Sequence, residues 1–592
     1  VKSFGWALAW VCFASVAGVS GAGYADPTAL LAAPGGERLW VAAGGRDEIV
    51  VVETAAPHVD ARWPLPGSPT GLALGPDGVS LYATLGAAGP GSVVELDARD
   101  GRVRGHWTAG HAPLAPVLLE EGRVLALARR FEGVVALHAL PGGRELATIP
   151  VGREPVVLLA GGDGRSLWVV NQLPEQAATD AHVAAAVVRV DLATGRVDAR
   201  VPLPNGSSSA RGATLSPDGA LLMVTHVVGH YQLPTNQLER GWMNVNALSV
   251  IDTREARRLG TLLLDDPTRG AANPRGVLVT PGAQDLVVAL SGTHELSIFP
   301  FRALLDRLAA AGGDEGAWDH DLLSMRTVGR RRLALPGRGP REVAWAAGRI
   351  WAAEYFSGTL VGLEPEGEGR AEVVLELAPE RIEPDAVRRG EEAFFDAERC
   401  FQAWQSCASC HPDTRVDGLN WDLLNDGVGN PKQTRSLVLS PATPPVMALG
   451  VRAHAGVAVR AGFRFIQFAG VDEAVAADVD AYLDSLRPIL PPPVDLELAR
   501  RGEQIFDRLG CGECHPAPHG TDGQLHPIRH ATGTDRGRDF ETPVLRELWR
   551  TAPYLHDGRA AGLEEALRIK SKAASELEAS ELGALVAYLR SL

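Results

Sequence analysis

Beyond its first 25 residues the sequence has no apolar stretch of the length a bilayer-spanning helix needs. It is also short of basic charge: 57 Lys and Arg against 72 Asp and Glu give a formal net charge of −15. That balance argues against a nucleic-acid surface as the main partner. It suits a soluble protein that meets a basic partner, and equally one that is merely soluble. Methionine is scarce; of four, only Met447 lies beyond residue 325. Cysteine is scarce and grouped: Cys12 and Cys400 stand alone, and the other four form two pairs. Nothing in the composition suggests disorder, with 45% hydrophobic and 22% charged residues. A chain of 592 residues exceeds a single core, so two to four domains are expected. The 66 Gly and 41 Pro favour many turns and short strands.

Residues 1–25 read as a secretory signal, which places the mature chain in the periplasm or outside the cell. Lys2 supplies a basic start, Trp6 to Val19 is uncharged and apolar, and Gly23-Tyr24-Ala25 offers small residues for cleavage. An uncleaved anchor is the alternative. Cys12 follows Ala9-Trp10-Val11, a poor lipoprotein context, and leaves with the signal.

From 28 to 378 a unit repeats seven times, each copy a turn followed by three strands. One strand series runs Leu39-Trp40-Val41, Leu81-Tyr82-Ala83, Val124-Leu125-Ala126, Leu167-Trp168-Val169, Leu221-Leu222-Met223, Leu286-Val287-Val288 and Ile350-Trp351-Ala352. A second follows each, as in Val50-Val51-Val52 and Val134-Val135-Ala136. Such a series predicts a seven-bladed β-propeller, whose radial closure protects most sheet edges. It resembles the YVTN-type propeller repeats of secreted bacterial proteins, a fold-level likeness that leaves function open. Three connections exceed plain turns: Asn171 to Ala186, His226 to Ala247 and Arg302 to Arg326. The second holds His226, His230, Tyr231, Trp242 and Asn244. It is either a packed loop with hydrogen-bonded histidines or a rim over a cofactor or metal.

After Ala378 helical periodicity begins and a second, longer unit occurs twice. Arg389-Gly390-Glu391, Phe394-Phe395-Asp396, Cys407-Ala408-Ser409-Cys410-His411 and Ala481-Tyr482-Leu483 are matched by Arg501-Gly502-Glu503, Ile505-Phe506-Asp507, Cys511-Gly512-Glu513-Cys514-His515 and Ala587-Tyr588-Leu589. The prediction is two all-α cytochrome c-like domains, 385–487 and 495–592, joined by a stiff linker at Pro491-Pro492-Pro493. C-x-x-C-H is the c-type haem attachment motif. Cys407, Cys410, Cys511 and Cys514 would form thioethers to two haem c groups, with His411 and His515 as proximal iron ligands. Zinc would need ligands that lie in separate repeats, and a redox disulfide would need a βαβ context. Cys400 is left over, as a buried or a reactive thiol.

The last 210 residues resemble the bacterial dihaem cytochrome c peroxidases and the related MauG enzymes. The likeness rests on Gly390 to Asp396, both haem motifs, Gly427-Val428-Gly429, Arg435-Ser436-Leu437, Thr542 to Arg546 and Thr551-Ala552-Pro553-Tyr554-Leu555-His556-Asp557-Gly558. It implies a peroxidatic haem in the first domain and an electron-accepting haem in the second. This chain also departs from the family. Fourteen residues beyond His556, where those peroxidases carry Met and MauG carries Tyr, stands Lys570. It is a sixth-ligand candidate if its amine is neutral, although a solvated helix-face Lys is the simpler reading. Met447 is a second candidate, against a core role. The family's distal His falls at Val428, which suggests an open position at the His411 haem. The tryptophan between the haems falls at Ala448, leaving Trp421 or Trp404 to substitute. Gln467 and Glu473 are the candidates for the polar distal residues that peroxide cleavage needs.

Three readings follow. One is a periplasmic dihaem oxidoreductase that reduces hydrogen peroxide at the first haem. Its electrons would come through the second haem from a donor protein such as a small cytochrome or cupredoxin. Another is an electron-transfer dihaem cytochrome with a propeller docking module. A third idea places a catalytic metal in the propeller at His226 and His230.

Overall fold

The computed structural model describes residues 23–233, 243–325, 328–365, 371–425, 427 and 429–592. Residues 1–22, which hold most of the segment expected to be a secretory signal, lie outside the described residues, as do Trp242 and Val428.

Seven four-stranded antiparallel sheets span 27–64, 69–111, 113–150, 155–202, 207–263, 274–334 and 340–376. Their first strands pack on one another around a ring, so each sheet is a radial blade of a seven-bladed propeller. The two strand series legible in the sequence are the second and third strands of each blade. Each blade has four strands, one more than expected. The innermost strands escaped the pattern because they lack an unbroken apolar run. Pro69–Leu74, for example, alternates buried and half-buried residues, and its register shifts between Pro69 and Gly71. Strands two and three are buried on both faces, as between blades, and read as continuous apolar segments.

Each blade is built from consecutive strands, so the ring closes without strand exchange: Pro27–Ala32 starts blade one and Val373–Glu376 ends blade seven. The seam is filled by Trp351, Ala353 and Leu360 against Leu39, Val41 and Val50. The long His226 connection is shorter than expected, because the strands Leu221–Gly229 and Asn244–Asp252 extend into it and His226 pairs with Ala247. The third long connection carries helix α1 (Phe301–Ala309).

The remaining helices form two repeats. The first holds α2 (Ala386–Phe395), the short α3 (Cys407–Cys410), α4 (Ala455–Phe465) and α5 (Glu473–Ser485). The second holds α6 (Leu496–Arg508), α7 (Leu563–Lys570), α8 (Lys572–Ser575) and α9 (Ala579–Arg590). Helix α2 crosses α5 at Gly390, where a Cβ would overlap the Asp478 carbonyl. Helix α6 crosses α9 at Gly502, where it would overlap the Ala584 carbonyl. One aromatic pair sits beside each crossing: Phe394 and Tyr482 at 5.6 Å, Phe506 and Tyr588 at 5.3 Å. The likeness extends into the loops: Met447 and Leu555 share left-handed φ values of 76° and 74°, and Gly450 and Gly558 both have φ 61°.

Buried ion pairs join the three bodies. Arg415 of the first repeat binds Glu547 of the second at 2.7 Å. Asp413 is gripped by Arg130 and Arg211 of the propeller and by Arg550 of the second repeat. At the seam, the Arg388 guanidinium donates to Asp26 Oδ1 at 2.7 Å and to the Tyr355 carbonyl at 3.0 Å.

Candidate haem sites

The first cysteine pair sits on a single capped turn. Ser406 accepts from the Ala408 amide and Ser409 from the Ser406 amide, closing a capping box around α3. His411 follows, its Nδ1 3.2 Å from the Arg415 carbonyl. The second pair lies on a 3-10 turn, Cys511–Glu513, entered through Gly510 at φ 70°, and His515 Nδ1 lies 2.8 Å from the Gly520 carbonyl. In both, a backbone carbonyl fixes Nδ1 as the protonated nitrogen and leaves Nε2 to bind a metal. Burial pushes both imidazoles down to about 4, which keeps them neutral. Two thiols and one oriented, neutral imidazole per repeat fit a c-type haem.

The surroundings differ. Gln467 Nε2 donates to Cys407 Sγ, and Asn244 Nδ2, from the propeller, donates to Cys410 Sγ, each at 3.3 Å. Asn244 also donates to Gln405 Oε1 at 2.7 Å. Tyr231 and Met243 of the same connection pack with Trp421, Leu419 and Cys410. The propeller therefore walls the first site. The bland reading holds for His226, which is sealed inside its blade with Nε2 2.8 Å from Ser249 Oγ. His230 instead approaches His320 at 3.3 Å. The two do not converge on a metal site.

The other candidates fall as follows. Gln467 is buried, its Oε1 without a partner. Glu473 does not lie in a buried pocket as the distal role would require; its side chain is 70% exposed and pairs with Arg460 at 3.0 Å. As the first residue of α5 it favours the helix N-terminus, which explains its place without catalysis. Met447 is half-buried, and the Glu541 amide donates to the carbonyl of its neighbour Ala448, so this corner meets the second repeat. Trp404 packs on Val228 and Val245, and Trp421 on Tyr231 and Met243; both face the propeller, and neither fills the position of Ala448 between the repeats. Lys570 ends α7 near Cys511, Cys514 and His515. Desolvation there lowers its amine below the ordinary lysine value even though the side chain keeps solvent access. Cys400 is buried, its thiol pushed up to about 11 by desolvation.

Sequence reasoning missed Asp417. Its carboxylate accepts from the Leu419 amide at 3.0 Å and from Trp421 Nε1 at 2.8 Å, beside Cys410. Burial raises it to about 6. Only the neighbouring Trp421 could have flagged it.

No family model matches the chain. Hydrazine synthase subunit gamma of Kuenenia stuttgartiensis is 27% identical over 274 residues, covering 35% of this chain and 78% of that protein. Subunit beta of the same enzyme is 28% identical over 170 residues, covering 28% and 44%. MauG of Methylorubrum extorquens is 36% identical over 83 residues, covering 12% and 24%. The homologues are dihaem peroxidases and hydrazine synthase. A solved Kuenenia stuttgartiensis hydrazine synthase chain shares the fold, with a TM-score of 0.53 and 22% identity over 58% of this chain and 96% of that one. The peroxidase and MauG relatives support a peroxidase-like oxidoreductase, and proteins of that kind bind c-type haems. The chain nevertheless spans under half the length of subunit beta and about a quarter of that MauG. Among the described residues no helix is long and apolar enough to cross a membrane.

Proposed function

We propose that the chain is a periplasmic, two-haem c-type oxidoreductase that reduces hydrogen peroxide at the first repeat with electrons relayed through the second from a small donor protein. The observation behind it is the pair of turns that each carry two thiols followed by a Nδ1-tethered, neutral histidine. Cys407, Cys410, Cys511 and Cys514 would hold the haems covalently, and His411 and His515 would bind their iron. Bound haem supplies one-electron chemistry and a place for peroxide oxygen. The chain's residues do the rest. Gln467 and Asn244 hold the two sulfurs of the first repeat from opposite bodies. Asp417 retains a proton up to about pH 6 and can pass it at its carboxyl oxygen. Lys570, with its lowered amine, is a nitrogen close to the cysteines of the second site.

The electron-carrier reading is favoured by the exposed position of Glu473, which takes that carboxylate out of the distal role sought for it. Electron paramagnetic resonance on the holoprotein, oxidised and half-reduced, separates the two. A high-spin ferric signal from one haem supports peroxide chemistry. Two low-spin signals that persist on half-reduction sink it in favour of the carrier.

A further inference from the structure

The inner strands of the propeller carry charges that the haem sites do not use. In blades one to four the residue after the first inner-strand proline is Thr28, Thr70, Leu114 or Val156. In blades five, six and seven the corresponding residues are Arg211, Arg275 and Arg341. Arg211 binds Asp413 at 2.7 Å. Arg341 lies over the Tyr355 ring, 3.3 Å from its centroid. Arg275 has no hydrogen bond or ion pair at its guanidinium among the described residues, and its surroundings pull its pKa well down. The carboxyl facing it, Glu342, is itself raised to about 7 by burial and neutralises it only in part. Arg130, Arg153 and Arg550 lie close by, against Glu154 and Asp413, so cations outnumber carboxylates here. Holding unmatched cations at half-buried positions is costly.

Between Arg275 and the first repeat lies a cavity of about 10 Å³, lined by Ser209, Arg211, Asn273, Arg275, Ser291 and Ala408 among others. No carboxylate borders it, nor do Cys407, Cys410 or His411, so it lies behind the attachment turn. The Ser209 hydroxyl is buried and has no partner. We propose that this cavity binds one monatomic anion of the chloride class, held by Arg211, Arg275 and the Ser209 hydroxyl against the back of the Cys407–Cys410 turn. The space is small, about 10 Å³, which favours a monatomic ion over phosphate or a carboxylate. Guanidinium groups offer only donors, which suits an anion better than a water that must also donate. A haem propionate is the other source of negative charge, but Ala408 lies between the two thioether positions, and propionates leave the macrocycle at the opposite edge.

The test uses holoprotein. Crystals soaked in bromide should show an anomalous peak between Arg211, Arg275 and Ser209. Thermal unfolding at fixed ionic strength should show a saturable rise in Tm in chloride over gluconate. Ser209→Ala should raise the half-saturating chloride concentration about tenfold or more, as loss of one hydrogen bond to a charged group does, and Arg275→Met should abolish the response. Ser209→Ala removes a single hydroxyl and carries the test if Arg275→Met does not fold. The proposal is overturned by an ordered water or a propionate in the cavity, by equal Tm in chloride and gluconate, or by bromide seen at crystal concentration with no effect in solution.

Discussion

The two cytochrome-like repeats share a helix crossing, an aromatic pair and the same left-handed corners, yet their cysteines meet different neighbours. In the first, a propeller asparagine and a buried glutamine donate to the sulfurs. In the second, the cysteines are as half-buried as those of the first, and a lysine stands nearby. The same five-residue motif thus sits in two electrostatic settings, and the setting comes from elements far away in sequence.

The largest effect expected on this pairing comes from Arg415→Met, which strands the buried Glu547 carboxylate between the repeats. Chemical denaturation should show a loss of about 3–5 kcal/mol; a loss under about 1 kcal/mol would mean that the ion pair does not hold the repeats together. Asp417 should give the first repeat a pH signature that the second lacks. Its folded pKa, about 6, exceeds the ordinary aspartate value of 3.8 expected when unfolded, so its contribution is full below about pH 4 and declines as pH rises to about 6. The stability of wild type minus that of Asp417→Asn should fall across this window by at most about 3 kcal/mol. A difference flat with pH would show that Asp417 titrates normally.

Gly390→Ala and Gly502→Ala probe the shared crossing. Each should cost about 1–3 kcal/mol, and the two costs should agree to within about 1 kcal/mol if the repeats are mechanically equivalent. Asn244→Leu should move the midpoint potential of one haem only, by the equivalent of about 1 kcal/mol; movement of both would contradict its place beside Cys410 alone. Glu473→Gln should change stability by less than about 1 kcal/mol and leave peroxide turnover intact.

The propeller and the duplication were legible because both rest on periodicity. Strands two and three of each blade are apolar on both faces, and Gly390 with Tyr482 is repeated as Gly502 with Tyr588. The innermost strands were not legible, since bulges and channel-facing residues break the pattern. Nor was the wall of the first site: Asn244 and Cys410 are brought together by tertiary packing, and no local rule links an asparagine in blade five to a cysteine more than 160 positions later. Glu473 misled for the opposite reason, because a carboxylate at the right distance in sequence had a sufficient local role as a helix-start residue.

The ring of blades has no interlocking strand, so its first and last members are held by side chains alone. Arg388 spans that gap from outside, with Asp26 of the first blade and the Tyr355 carbonyl of the last in one guanidinium. The helical region therefore acts as a clasp across a packed seam. Prising α2 away would take the clasp off that joint, so the propeller and the first repeat should lose their structure in a single step.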